Sequence, residues 1–205
     1  MPIDWKQELN PDHTVILCME MQKGVVSKEG SIRELADAVD KSGIVNNGQR
    51  LLTEARHRSV NVIHCTAAFR EDRRGTTVRM PLVAVMLKNP KHMLEGTPAV
   101  EVIPQWFDET DLECRRYHGV SPFSGTGLDT TLRSMNIKTV LATGVSLNLG
   151  VTSMCIEAAN LGYRVIVVSD AVAGFPDDYC KAIMQNTICL VAKPMTVNDI
   201  VAAWT

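Results

Sequence analysis

Short apolar runs rich in β-formers alternate along this chain with longer stretches of helical periodicity, and that alternation leaves few folds open. Thr14-Val-Ile-Leu-Cys-Met-Glu20 reads as a first strand, buried on both faces and ending in a carboxylate. Ile32 to Arg58 carries apolar residues at helical spacing (Leu35, Val39, Ile44, Leu51, Leu52, Ala55) with Gly43 and Gly48 as weak points, so a helix broken once is expected. Val60 to Thr66 is a second strand. From Asp111 the pattern predicts a short strand through Cys114, a helix from about Thr126 to Met135 and a strand Lys138 to Gly144. A helix from about Leu149 to Leu161 and a strand Tyr163 to Ser169 follow. A helix around Asp177 to Asn186, a short strand near Ile188 to Val191 and a last helix from about Val197 complete it. Strands separated by helices join through right-handed crossovers, so the expected class is α/β, a three-layer α/β/α fold around a mainly parallel six-stranded sheet.

Pro81, Pro90, Pro98 and Pro104 cut residues 81–110 into pieces too short for a firm helix, and this segment is expected to be irregular cover. With no internal repeat and no low-complexity linker, residues 1–205 are expected to form one domain. Lys and Arg number 21 against 23 Asp and Glu, a formal charge of -2, which gives no general reason to bind nucleic acid or an anionic membrane. The longest apolar runs fall far short of a membrane span, and Met1 to Lys6 lacks the basic-then-apolar pattern of a secretory leader. The chain therefore reads as cytoplasmic. Its six cysteines are scattered through strand-like and helix-like runs, so free and mostly buried thiols are expected. The five histidines never fall at His-x-His or His-x-x-x-His spacing, and neither a metal nor a cofactor is expected.

Ligands of such sheets gather at the carboxyl ends of the strands. Three segments should meet there: Glu20 to Gln22, Arg115 to Phe123, and Gly144 to Val151. The last is bounded by glycines and precedes a helix whose first N–H groups point outward. It has neither Gly-Lys-Ser/Thr nor Gly-x-Gly-x-x-Gly, so nothing assigns it to a nucleotide phosphate.

At these residues the chain resembles the isochorismatase-like cysteine hydrolases, which include isochorismatases, nicotinamidases and N-carbamoyl amidohydrolases. The resemblance runs from about Thr14 to the end. Glu20-Met-Gln22 is similar to the family's Asp-Met-Gln, and Tyr117-His-Gly-Val-Ser-Pro-Phe123 with Gly125-Thr-Gly-Leu-Asp129 to its Lys-x-x-x-Ser-x-Phe-x-x-Thr-x-Leu. Thr143-Gly-Val-Ser146 with Gly150-Val151 resembles Thr-Gly-Val-x-Thr-x-x-Cys-Val, and Gly162-Tyr-Arg-Val with Ser169-Asp-Ala171 completes the match. The resemblance implies a Rossmann-like isochorismatase fold, a homo-oligomer, and a thiolate that attacks a carbonyl while a carboxylate moves protons and a lysine fixes the charges. The corresponding positions here are Glu20, Tyr117 and Gly150. All three depart from the family, and Gly150 has no side chain to act as nucleophile.

No neighbouring thiol takes over in sequence terms. Cys155 lies about 140° around a helix and about 7.5 Å along it from position 150. Cys18 shares the strand face of Glu20 but sits about 6–7 Å deeper, and Cys114 lies short of the centre. Two functions are therefore weighed: a non-catalytic relative that keeps the pocket for binding, and a cysteine-independent hydrolase of a small amide, urea or vinyl ether in which Glu20 activates water. Val145, Ser146, Asn148, Arg116 and Phe123 are the expected ligand contacts, and the ligand is a small carbonyl or carboxylate compound. Ser146 and Asn148 also suit a tight turn. Arg73, Arg74 and Arg79 either close over an acidic ligand or pair with Glu71 and Asp72 in a solvated loop. Met80, Met86, Met93, Trp106 and Phe107 offer apolar surface for self-association, or cover the core.

Overall fold

The computed structural model describes residues 3–28, 30 and 32–205; Met1 and Pro2, the start of the segment read for a leader, lie outside them. Ten helices are found among the described residues: α1 (Trp5–Glu8), α2 (Lys23–Val26), α3 (Arg33–Ser42), α4 (Ile44–His57), α5 (Pro81–Met86), α6 (Leu128–Ser134), α7 (Thr152–Asn160), α8 (Asp177–Ile183), α9 (Cys189–Val191) and α10 (Val197–Ala203). The strands are β1 (Thr14–Met19), β2 (Asn61–Ala67), β3 (Leu112–Arg116), β4 (Thr139–Val145), β5 (Arg164–Ala173) and β6 (Lys193–Met195). They form one sheet in the order β3-β2-β1-β4-β5-β6, with every neighbouring pair parallel.

Strand pleating sorts the core into two layers. Val15, Leu17 and Met19 face the side covered by α6 and α7, where they meet Leu128, Leu132, Met154 and Ala158. Ile16 and Cys18 face the other side, against Leu35 and Val39 of α3, Leu51 and Leu52 of α4 and Ile200 of α10. The central strands are buried on both faces, which is why they read as unbroken apolar runs. The break expected between residues 32 and 58 falls at Gly43, and α4 continues through Gly48. A Cβ at Gly48 would lie 1.9 Å from the Trp106 ring, so glycine there lets the indole lie flat on the helix. Trp106 in turn donates its Nε1–H to Val45 O at 3.0 Å, tying the proline-rich cover to the body.

Three expectations are corrected. Residues 188–191 are helical: α8 runs on through a π-helical turn, Met184–Ile188, into α9. Ile188 is buried and Val191 packs half-buried against the same core layer, while Leu190 is 79% exposed, so the run follows helical rather than strand burial. The edge strand is β6, whose Pro194 is tolerated because an edge leaves one backbone side unpaired. Residues 81–110 are not wholly irregular, because Pro81 sits in the first turn of α5, where its missing N–H costs nothing. The helix expected from Leu149 begins as α7 at Thr152, behind a π-helical turn over Leu147–Val151.

Candidate functional site

A cavity of about 150 Å³ opens at the carboxyl ends of β1 to β4. One end of it is polar, formed by Glu20, Arg116, Ser146, Asn148 and Gly150; the walls are apolar, built by Val25 and Leu35 beside α2 and α3, Phe69, Val83 and Met86 of the cover, and Phe175.

Glu20 is the first residue after β1. Its φ is +48°, a left-handed conformation that swings the chain out of the sheet; its N–H is held by Cys65 O at 3.0 Å. That turn aims the carboxylate at Arg116, the last residue of β3, which donates Nη2–H to Glu20 Oε1. Arg116 also donates Nε–H to Gly119 O at 3.2 Å and Nη1–H to Thr66 O at 3.4 Å. The arginine side chain is 4% exposed and that of Glu20 20%, so the cation is the buried and fixed member of the pair. Gln22, which follows Glu20 in the Glu20-Met-Gln22 segment, is fully buried and clamps the site from below. Its Nε2 donates to Ala67 O (2.9 Å) and Val100 O (2.7 Å), and its Oε1 accepts from Ala67 N at 2.8 Å, joining β2 to the cover.

The resemblance places the family's lysine at Tyr117, but the cation beside Glu20 is Arg116. Tyr117 turns to the rim, donating its hydroxyl to Glu95 at 2.6 Å, and that hydrogen bond raises the phenol above its ordinary value. Thr76 Oγ1 donates to Tyr117 O at 2.6 Å, and Thr77 Oγ1 lies 3.3 Å from His118 Nε2, so the loop after residue 70 is fastened over the rim. Phe123, expected at the ligand, packs in the core 6.3 Å from the Tyr163 ring, and Val145 is likewise buried among core residues. Arg73 donates to Pro90 O at 2.6 Å while Arg70 and Arg74 pair with Asp72, whose carboxyl the Arg70 hydrogen bond draws down to about 2. These arginines build the loop and do not line the cavity. Arg79 is exposed.

Gly150 lies in the π-helical turn, where Ser146 O accepts from Leu149 N (3.1 Å) and Val151 N (3.0 Å). A Cβ at Gly150 would meet Met19 Cε at 3.0 Å and Val145 O at 3.3 Å, so a small side chain enters with a slight shift of the methionine tip. Asn148 Oδ1 is buried and lacks a hydrogen-bond partner. No cysteine lines the cavity among the described residues. Cys155 is buried in the core, its thiol pushed up to about 12, and burial also raises Cys114. His92 sits in the wall, and burial, helped by Arg73, holds it below its ordinary value.

A second buried charged cluster lies at the amino end of β3. Asp111 accepts from Arg56 Nη2 at 2.5 Å and from His64 Nε2 at 2.9 Å. Burial pulls His64 down, but its hydrogen bonds to Asp111 and Cys18 prevail and leave it at about 9. None of the three lines the cavity. Among the described residues no group of three or more His, Cys, Asp or Glu is placed to hold a metal ion, and no helix is long and apolar enough to cross a membrane.

The isochorismatase domain model matches residues 14–199. An uncharacterized isochorismatase family protein of Bacillus subtilis, YwoC, is 27% identical over 189 residues, 91% of this chain and 91% of the relative. Ureidoacrylate amidohydrolase RutB of Agrobacterium fabrum is 25% identical over 211 residues, 93% of this chain and 90% of its own. The crystal structure of a cysteine hydrolase from Pseudomonas syringae pv. phaseolicola superposes with a TM-score of 0.83 at 26% identity, covering 95% of this chain and 93% of that one.

Proposed function

We propose, from the premise that this chain belongs to the isochorismatase family, that it is a non-catalytic member whose cavity binds a small carbonyl or carboxylate compound. The observation that carries the reading is the glycine at position 150. The cavity has no thiol among its described lining residues, and the only carboxylate at its polar end is already paired with a buried guanidinium. Losing the attacking group removes the covalent step outright, and fixing Glu20 against Arg116 weakens it as a base for water. Binding chemistry is retained. Arg116 has five donors and gives three of its hydrogen bonds to protein acceptors, so donor capacity is left for a ligand oxygen. Glu20 accepts from an amide N–H, and the apolar walls take a body of roughly benzene size.

The amidohydrolase activity named for one relative favours the second reading, a cysteine-independent hydrolase with Glu20 activating water. One experiment separates the two. The purified protein is screened for turnover of amides, ureas and vinyl ethers, and for thermal stabilisation by small amides and carboxylates. Stabilisation without turnover is expected. Turnover that disappears in Glu20→Gln overturns the non-catalytic reading.

The proposal includes one domain over residues 1–205, acting in the cytoplasm as a homo-oligomer. Of the apolar side chains expected to mediate self-association, Met93 and Trp106 are buried and serve as cover. Met80 and Met86 are half-buried and Phe107 is 56% exposed, so these three are left as candidates, and sedimentation as a monomer at micromolar concentration refutes the oligomer.

A further inference from the structure

Two of the six thiols face each other across neighbouring strands. Cys65 of β2 and Cys114 of β3 are direct partners in the parallel ladder, so their side chains leave the sheet on the same face. Both pack in the same core layer, Cys65 fully buried and Cys114 half-buried at its margin. Neighbouring strands run about 4.8 Å apart, inside the roughly 4.4–6.8 Å between Cα atoms that a disulfide accepts. Cys114, half-buried, also lines a groove between β3 and α6, bordered by Thr126 and Leu128. Cys65 does not line it. The other thiols lack this arrangement: Cys18 lies on the opposite face of the sheet with His64 as its ladder partner, and Cys155, Cys180 and Cys189 sit on helices.

We propose that Cys65 and Cys114 are a modification site, forming a reversible disulfide that joins β2 to the edge strand β3 when a low-molecular-weight disulfide is the oxidant. Cys114 gives its proton to solvent and attacks one sulfur of the oxidant, expelling a first thiolate and leaving a mixed disulfide. Cys65 then attacks the Cys114 sulfur, breaking the mixed disulfide, and its proton passes to the second thiolate as that group departs. Two protein thiols are oxidised and one small disulfide is reduced to two thiols. Burial raises both protein thiols, so the exchange is slow near neutrality and quickens as pH rises. The bond closes directly behind the candidate site: Arg116 is two residues beyond Cys114, and Cys65 O holds the Glu20 N–H.

The test is incubation of the whole protein with oxidised glutathione at mildly alkaline pH, followed by intact mass and peptide mapping without reductant. The expected result is loss of two hydrogens, one peptide pair joining Cys65 to Cys114, and reversal by dithiothreitol. Cys65→Ser is expected to stop at a glutathione adduct on Cys114, and Cys114→Ser to leave Cys65 unmodified. No mass change, a lasting adduct on wild-type Cys114, or a bond between any other pair overturns the proposal. Should either variant fail to fold, the wild-type peptide map alone decides.

Discussion

Two carboxylate–cation clusters lie at opposite ends of β3, and the one at its carboxyl end lines the cavity described above while the other does not. At the carboxyl end, Arg116 of β3 meets Glu20 beside the space in front of Gly150. At the amino end of β3, Asp111 meets Arg56 and His64 beneath α4, with Asp111 and His64 about equally buried. Buried charge by itself therefore does not mark a site. The Asp111 cluster pairs its charged groups with one another and ties strands to a helix, whereas the Glu20 cluster leaves its carboxylate partly open to the cavity.

Removing the carboxylate of the inner cluster breaks the comparison most severely. Asp111→Ala leaves Arg56 and His64 without their partner and is expected to cost about 3–5 kcal/mol in urea unfolding, with ligand stabilisation retained by the fraction that folds. A pH series on the wild type comes next. His64 titrates at about 9 in the folded protein against 6.5 unfolded, so its contribution, about 3 kcal/mol, is present in full below pH 6.5 and fades as pH rises through 9. Unfolding measured from pH 6 to pH 10 checks this; a flat profile removes His64 from the inner cluster. Arg116→Met at the outer cluster is expected to cost less, about 1–3 kcal/mol, because the partly exposed Glu20 can recover water. It should nonetheless abolish the thermal response to small amides and acids, which is where the two clusters part. The smallest effect belongs to the surface: Arg74→Ala loosens an exposed pair with Asp72 and is expected to change stability by no more than about 0.5 kcal/mol.

The parts of the fold that were legible in the sequence are those whose burial is two-sided. β1 and β4 are buried along their whole length and announce themselves as apolar runs. β6 was hidden by Pro194, and the apolar run before it belongs to a helix that turns Leu190 of that run out to solvent. At the site, Glu20 and Gly150 were readable because each follows a recognisable strand. Arg116 was not separable from Tyr117 by sequence, since which residue turns inward depends on where β3 pairs with β2, and Arg116 is the residue opposite Ala67. Phe123 sat in a matching motif, yet its side chain points into the core that Tyr163 shares. The pairing of Cys65 with Cys114 depends on the same register and was invisible for the same reason.

The left-handed backbone at Glu20 sets stability against retention of the site in any lineage that carries this fold. A glutamate there bears a conformational penalty of order 1 kcal/mol that glycine does not. Glycine alone strands a buried guanidinium, so the relief is reached only when Arg116 changes to an apolar residue at the same time. A population selected only for thermostability would therefore be expected to lose the two residues together, and a lineage in which both persist is one in which something other than folding is still being selected.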